Sequence, residues 1–349
     1  MKKRIDSLLR ICNIPIREKW EEYVGEGKYS LYQYWKVLGL IDAGTLERIN
    51  LFKDDLRPTI EMINYFKTLD FHFKPSCYIN KEVADVGSGF GFITFFLLLS
   101  GAKKVYSIGD PVRIGFIKKL YEAAISENLI DEGLISFKPE FIKTSDTTLD
   151  SNIADGSLGL VLLNDTLEHI TPRIFPSLVK SSYNNLCRGG KFISRQQNTD
   201  SKSMLARLRK VWEEVEKNCL IDQRVTLINE SVGDISTENT LKLALSTRGL
   251  DSIDFYEAIK TYKQKGQFPS HDTNIPPIDI LTDVPEEGDT GIERICTEFK
   301  KCGFSKVKVY PDLMSSRRSR YFQPLAKQLP GLFLGSGIFD DTTVFNMTK

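Results

Sequence analysis

The stretch Val83-Ala84-Asp85-Val86-Gly87-Ser88-Gly89-Phe90-Gly91, running straight into Phe92-Ile93-Thr94-Phe95-Phe96-Leu97-Leu98-Leu99, decides the fold. A short apolar, β-rich run gives way to three glycines at alternate positions and then to an apolar segment of helical length, which is the grammar of strand, turn and helix. Glycines at 87, 89 and 91 allow a tight bend and let a ligand approach backbone amides at a helix N-terminus.

Working outward, short apolar runs recur at Lys104–Ile108, Leu134–Phe137, Leu158–Leu163 and Lys191–Ser194, separated by amphipathic segments. That alternation predicts parallel strands with helices on both faces. Gly189-Gly190 is read as the stop of the helix before the fifth strand. Near the end, Thr290 and Glu293 form a capping box for a helix carrying Ile292, Ile295, Cys296 and Phe299, closed by Gly303. Val307 and Val309 then alternate in a strand, and Thr342–Met347 supplies another. The predicted fold class is α/β: a Rossmann-like, doubly wound, mostly parallel sheet with an antiparallel C-terminal strand pair, a helical N-terminal region and a helical insertion.

Three regions follow. Residues 1–78 read as a mainly helical cap, with an aromatic stretch at Tyr29, Tyr32, Tyr34 and Trp35 and a later helix opened by Pro58 with Ile60, Ile63 and Phe66 on one face. Residues 79–196 together with 290–349 read as the α/β core. Residues 197–289 read as an insertion: Leu205, Leu208, Val211, Trp212 and Val215 recur at helical spacing, as does the segment Phe255 to Ile259. Pro269, Pro276, Pro277 and Pro285 then mark a loop over Gln267 to Glu287. Placed after a strand edge where open sheets bind ligands, this insertion is read as a substrate lid.

Composition narrows the classes. The chain of 349 residues suits one α/β core with additions, or two domains. A net charge of +1 from 47 basic and 46 acidic residues provides no polyelectrolyte field, so no nucleic-acid partner is predicted; the cluster Arg317, Arg318 and Arg320 reads as a solvated face. Six cysteines without a C-x-x-C spacing suggest neither a zinc site nor a disulfide framework, and fit a reducing cytoplasm; no metal is predicted. The densest apolar run, Phe92 to Leu99, is far below the roughly 20 residues that span a bilayer.

Asp110 ends the second strand 19 residues after Gly91, the spacing of a carboxylate that holds ribose hydroxyls. A nucleoside-containing cofactor is implied. Asp85 narrows its identity, because a carboxylate beside the glycine loop would oppose a pyrophosphate yet attract the ammonium of a methionine moiety. The third glycine also comes two residues after the second, a departure from G-x-G-x-x-G, so S-adenosyl-L-methionine is favoured over NAD.

Asp85-x-Gly87-x-Gly89-x-Gly91, Asp110, the segment Asp155-Gly156-Ser157-Leu158 through Asn164-Asp165-Thr166-Leu167-Glu168-His169-Ile170, and Leu186-Cys187-Arg188-Gly189-Gly190-Lys191-Phe192 stand in order along the chain. Together they resemble the motifs of class I S-adenosylmethionine-dependent methyltransferases, of the small-molecule type that includes ubiquinone-pathway O-methyltransferases. The resemblance covers roughly residues 80 to 196. It implies that Asp85, Gly87, Ser88, Gly89, Gly91, Asp110, Pro111 and Asn164 line the cofactor site, with Asp146 as the adenine-side acid and Glu140 as its competitor. Gly159 and Cys187-Arg188 depart from the family pattern, which often has an aspartate and lysine-proline there.

Methyl transfer from a sulfonium is an in-line displacement, helped for an oxygen acceptor by a general base within hydrogen-bond reach. Only three histidines exist. His169 follows the fourth strand and leads; Asp165 and Glu168 flank it; His271 sits in the proline-containing loop; His72 reads as a packed residue. The expected activity is methylation of a small-molecule or sugar hydroxyl, yielding S-adenosyl-L-homocysteine. Carbon or nitrogen methylation, a NAD- or nucleotide-sugar-binding oxidoreductase, and a non-enzymatic cofactor-binding regulator remain as alternatives.

Overall fold

A computed structural model describes residues 2–20, 25–29, 72–139, 149, 152–269, 275–281, 284–285, 288, 291–312, 328 and 342–349. Its centre is a seven-stranded sheet. Strands β3 (Glu82–Val86), β4 (Lys104–Gly109), β5 (Ile135–Pro139), β6 (Leu158–Asn164), β7 (Leu186–Gln197), β10 (Lys306–Pro311) and β11 (Thr342–Thr348) lie in the order β10-β11-β7-β6-β3-β4-β5. β3 pairs in parallel with both β4 and β6, whereas β11 runs antiparallel to β7 and β10. The chain therefore winds from β3 toward one edge and then crosses back to β6, leaving a topological switch point between β3 and β6, where open sheets gather ligands at their carboxyl ends.

Alternation along the strands distributes the core. Val83, Val105, Leu160 and Leu162 face one side and pack with Phe95 and Phe96 of α2 (Phe92–Leu99) and Ile117 and Leu120 of α3 (Pro111–Ser126). Helix α1 (Lys2–Asn13) adds Leu8, Ile11 and Cys12 to that layer, and Arg4 Nη1 donates to Ser100 Oγ at 2.7 Å. Ala84, Val86, Val161 and Leu163 face the other side, toward α4 (Phe175–Asn185) and α9 (Ile292–Lys301). There Phe299 is fully buried, with its ring 4.6 Å from Phe192 and 6.0 Å from Phe175. Each such phenylalanine contributes about 2–3 kcal/mol of burial.

β6 is buried at every position but its last, as a central parallel strand should be. Gly159 is fixed by packing, since a Cβ there would lie 2.7 Å from the Cys77 carbonyl oxygen. A side chain has no room at that position in this packing.

Several expectations are corrected. The N-terminal region contains, beside α1, an antiparallel hairpin of β1 (Ile16–Trp20) and β2 (Gly25–Tyr29); Tyr32, Tyr34, Trp35 and the Pro58 helix lie outside the described residues. Helix α4 ends before Gly189-Gly190, at Asn185, and the glycines already belong to β7. Gly189, at φ 75°, donates its N–H to Lys349 O, and Lys349 N–H returns to Gly190 O. The two glycines thus pair with Lys349 instead of capping a helix. Thr290 lies outside the described residues, and the N-cap of α9 is Gly291, with no side-chain cap; the Ile292 N–H donates instead to Asp200 Oδ2 at 2.8 Å.

The insertion is helical as expected: α5 (Lys202–Val215), a π-helical turn at Glu216–Leu220, α6 (Ile221–Val232), α7 (Thr237–Ser246) and α8 (Ser252–Lys265). It has a small core of its own in Ile228, Leu243, Phe255, Ile259 and Ile280. The proline-containing loop still manages a two-residue ladder between β8 (Ile278–Asp279) and β9 (Val284–Pro285). Among the described residues no helix is long and apolar enough to cross a membrane.

Candidate functional site

The glycine turn leaves β3 with Gly87, Gly89 and Gly91 all in the left-handed region, at φ of 72°, 52° and 84°. The N–H groups of Gly87 and Ser88 donate to the Ile108 carbonyl, at 2.9 and 3.1 Å, and draw the turn against the end of β4. Two of the three glycines are also demanded sterically. A Cβ at Gly87 would stand 2.2 Å from Thr166 Oγ1, and one at Gly91 2.9 Å from Ile117 Cγ2. Gly89 differs: among the described residues no heavy atom lies within 4 Å of where its Cβ would be. The middle of the turn is therefore its open face, at the N-terminus of α2.

Asp85 lies beneath this turn. Its side chain is buried, and Thr94 Oγ1 donates to its Oδ2 at 2.6 Å; Ser107 Oγ, 3.3 Å from Thr94 Oγ1, donates in turn to Ser88 Oγ at 2.9 Å. Burial pushes the Asp85 carboxyl up to about 6, against the Thr94 hydrogen bonds that favour its charge. Among the described residues the Asp85 carboxylate is covered by protein and faces Thr94. Asp85 braces the turn from below.

Asp110 is the N-cap of α3. Its Oδ1 accepts from the N–H groups of Val112 (2.9 Å) and Arg113 (3.1 Å), while Pro111 occupies the first turn, where a missing N–H does no harm. The cap engages Oδ1 alone, so Oδ2 of this partly exposed side chain stands outside it.

The third component is the turn after β6. Asn164 Nδ2 donates to Asp165 Oδ2 at 2.8 Å, and Asn164 Oδ1 is buried with no partner within the described protein. Asp165 takes φ 48°, a conformation aspartate tolerates better than most residues, and its carboxylate meets Arg195 Nη1 at 2.9 Å. Arg195 Nε then donates to Asp312 Oδ2 at 2.6 Å, and Asp312 Oδ1 lies 3.3 Å from His72 Nε2. His72 Nδ1 lies 3.3 Å from the Tyr310 hydroxyl. Burial opposes the Asp312 charge, but the His72 hydrogen bond and the Arg195 and His72 charges outweigh it and hold the carboxyl below the usual range. His72 is thus buried, as expected, but as part of an ionic network. Sequence reasoning missed Arg195 and Asp312, because the pairing of β7 with β6 that sets Arg195 opposite Asn164 is decided by the sheet.

His169 is exposed in a single 3-10 turn, Leu167–His169, with Nδ1 3.4 Å from the Pro285 carbonyl oxygen. Gly288 N–H donates to the Glu168 carbonyl. The far end of the insertion therefore rests on the turn that carries His169. His271, Asp146 and Glu140 lie outside the described residues. Among the described residues no group of three His, Cys, Asp or Glu side chains is placed to hold a metal ion.

A sheet whose order reverses at β3, with a glycine turn at the switch point and an acid capping the next helix, defines a Rossmann-like α/β protein. No family model matches the chain, and no curated protein is significantly similar to it in sequence. Among solved structures it is similar to an S-adenosylmethionine-dependent methyltransferase from Mesorhizobium loti, at 12% identity over 82% of this chain and 98% of that one, TM-score 0.42. A similar protein from Archaeoglobus fulgidus shows 13% identity over 86% and 99%, TM-score 0.42. Phosphoethanolamine N-methyltransferase 2 from Haemonchus contortus shows 14% identity over 93% of this chain and 61% of that chain, TM-score 0.42.

Proposed function

We propose that the protein is an S-adenosyl-L-methionine-dependent methyltransferase acting on a small molecule. The observation that carries the reading is the open Gly89 between two sterically enforced glycines, beside an N-capping acid with one oxygen to spare. The open face would admit the amino-acid portion of the cofactor against the start of α2, and Asp110 Oδ2 would accept from ribose hydroxyls. Asn164 Oδ1, a buried acceptor without a partner at the carboxyl end of β6, fits an N–H donor such as the cofactor's ammonium. When bound, the cofactor supplies an electrophilic methyl group.

The chain's part is to align the acceptor and exclude water. The turn after β6 offers His169 and Asp165 on the acceptor side, and the insertion segment at Pro285 and Gly288 covers it. We read the acceptor as a hydroxyl of a small metabolite or sugar, with His169 as the base, and the protein as cytoplasmic. Calorimetric titration with S-adenosylmethionine, S-adenosylhomocysteine and NAD tests the reading. Binding of the first two with no response to NAD is expected; saturable binding of NAD alone overturns it.

A further inference from the structure

The insertion holds a cluster of buried charge remote in sequence from the glycine turn. The π-helical turn between α5 and α6 begins at Glu216, and turns of this kind are over-represented at functional sites. Arg248, 5% exposed at the end of α7, donates Nη1 to Glu216 Oε2 at 2.8 Å. Arg224 of α6 is 0% exposed and donates Nη2 to the Ile278 carbonyl at 2.7 Å. Three guanidinium nitrogens are left over: Nε and Nη1 of Arg224 and Nε of Arg248 are buried without a protein partner. On the acceptor side only Glu216 Oε1 is left over.

Asp279 is the other nearby acid. Its Oδ1 accepts from Gln223 Nε2 and the Leu281 N–H, both at 2.9 Å, and it makes no hydrogen bond to Arg224 Nε or Nη1 or to Arg248 Nε. Burial lowers Arg224 to about 10, Glu216 opposing and Arg248 adding to the effect, so the group stays charged at neutral pH. Each buried N–H left without an acceptor costs on the order of 1–3 kcal/mol. The cluster is therefore rich in donors and poor in acceptors. A single water accepts from two of these N–H groups and donates to Glu216 Oε1, which leaves the third N–H without an acceptor. An oxyanion brings acceptors alone.

We propose that Arg224 and Arg248 form a binding site for a small oxyanion, a phosphate or a carboxylate group, enclosed within the insertion. The guest completes the hydrogen bonding of both guanidinium groups, as charge-assisted pairs do in other arginine sites. It also bears on the candidate site. Arg224 and Gln223 hold β8 through Ile278 and Ile280, and the same segment continues to Pro285 and Gly288 over the His169 turn. The inference does not depend on the identity of the cofactor.

The test is equilibrium titration calorimetry of the full chain with inorganic phosphate and, separately, with acetate, at ionic strength held constant with chloride. Saturable binding of at least one oxyanion is expected, weakened about tenfold or more in Arg224→Met. Glu216→Gln removes the competing carboxylate and should tighten binding severalfold, a change of sign that misfolding does not imitate. Crystals soaked in selenate should show an anomalous peak between Arg224 and Arg248. Absence of oxyanion binding above the chloride background, unchanged affinity in Arg224→Met, unchanged or weaker affinity in Glu216→Gln, or only ordered water at the cluster overturns the proposal.

Discussion

Thr94, in the first turn of α2, donates a 2.6 Å hydrogen bond to Asp85 at the end of β3, beneath the glycine turn that joins the two elements. The bond ties the ends of the strand and the helix together, so the turn is held from below by a buried carboxylate and is open above at Gly89. Rigid support for a ligand-binding turn reduces the ordering a ligand must impose.

Asp85 makes stability depend on pH in a definite direction. Its folded pKa, about 6, exceeds that of an unfolded aspartate near 3.9, so the folded state holds the proton more tightly. Below about pH 4 the residue is neutral in both states. As pH rises from about 4 to 6, ionisation costs the folded protein on the order of 3 kcal/mol. Asp85→Asn should flatten this part of the curve. Urea denaturation of both proteins at pH 4 and pH 7 checks it, and an equal pH dependence would refute the assignment.

Asp312 predicts the opposite slope. Its folded pKa is depressed, so its stabilisation is present above the unfolded carboxylate range and fades as pH falls below about 4. Asp312→Asn removes the negative charge that Arg195 and His72 share, with one of its two acceptor oxygens, and should lower stability at pH 7 by about 2–4 kcal/mol, measured as a drop in denaturation midpoint.

The glycines of the turn separate stability from ligand binding. Gly87→Ala drives a Cβ into Thr166 at positive φ and should lower the melting temperature strongly. Gly89→Ala meets no atom of the fold, and its cost is the backbone term alone, about 1 kcal/mol. The added methyl would still occupy the open face, so affinity for S-adenosylhomocysteine should fall at least tenfold by calorimetry. Retained affinity would show that the ligand does not approach Gly89.

Asp110→Asn keeps an N-cap of comparable quality, so the fold should change by only a few tenths of a kcal/mol. Loss of the carboxylate should nevertheless weaken S-adenosylhomocysteine binding by roughly tenfold, about 1.4 kcal/mol. An unchanged dissociation constant would remove Asp110 from the ribose role and leave it a helix cap.

The sequence by itself determined the sheet and its glycine turn, because short apolar, β-rich runs and glycines at alternate positions are local signals that need no long-range partner. Strands at Val83, Lys104, Leu158 and Lys191 were legible for that reason, as were the helices of the insertion; that Asp110 caps the helix after the second strand was not. Side-chain partners across the fold were not. Asp85 faces a buried hydroxyl because α2 folds back over β3, and Arg195 meets Asp312 because β11 enters the sheet antiparallel and sets β10 beyond it. Gly189-Gly190 carried the ordinary signature of a helix stop, yet pairs with Lys349, 159 positions beyond Gly190. Only tertiary structure decides such roles, because whether a charge lies at an open face or in a buried brace depends on which distant residues cover it.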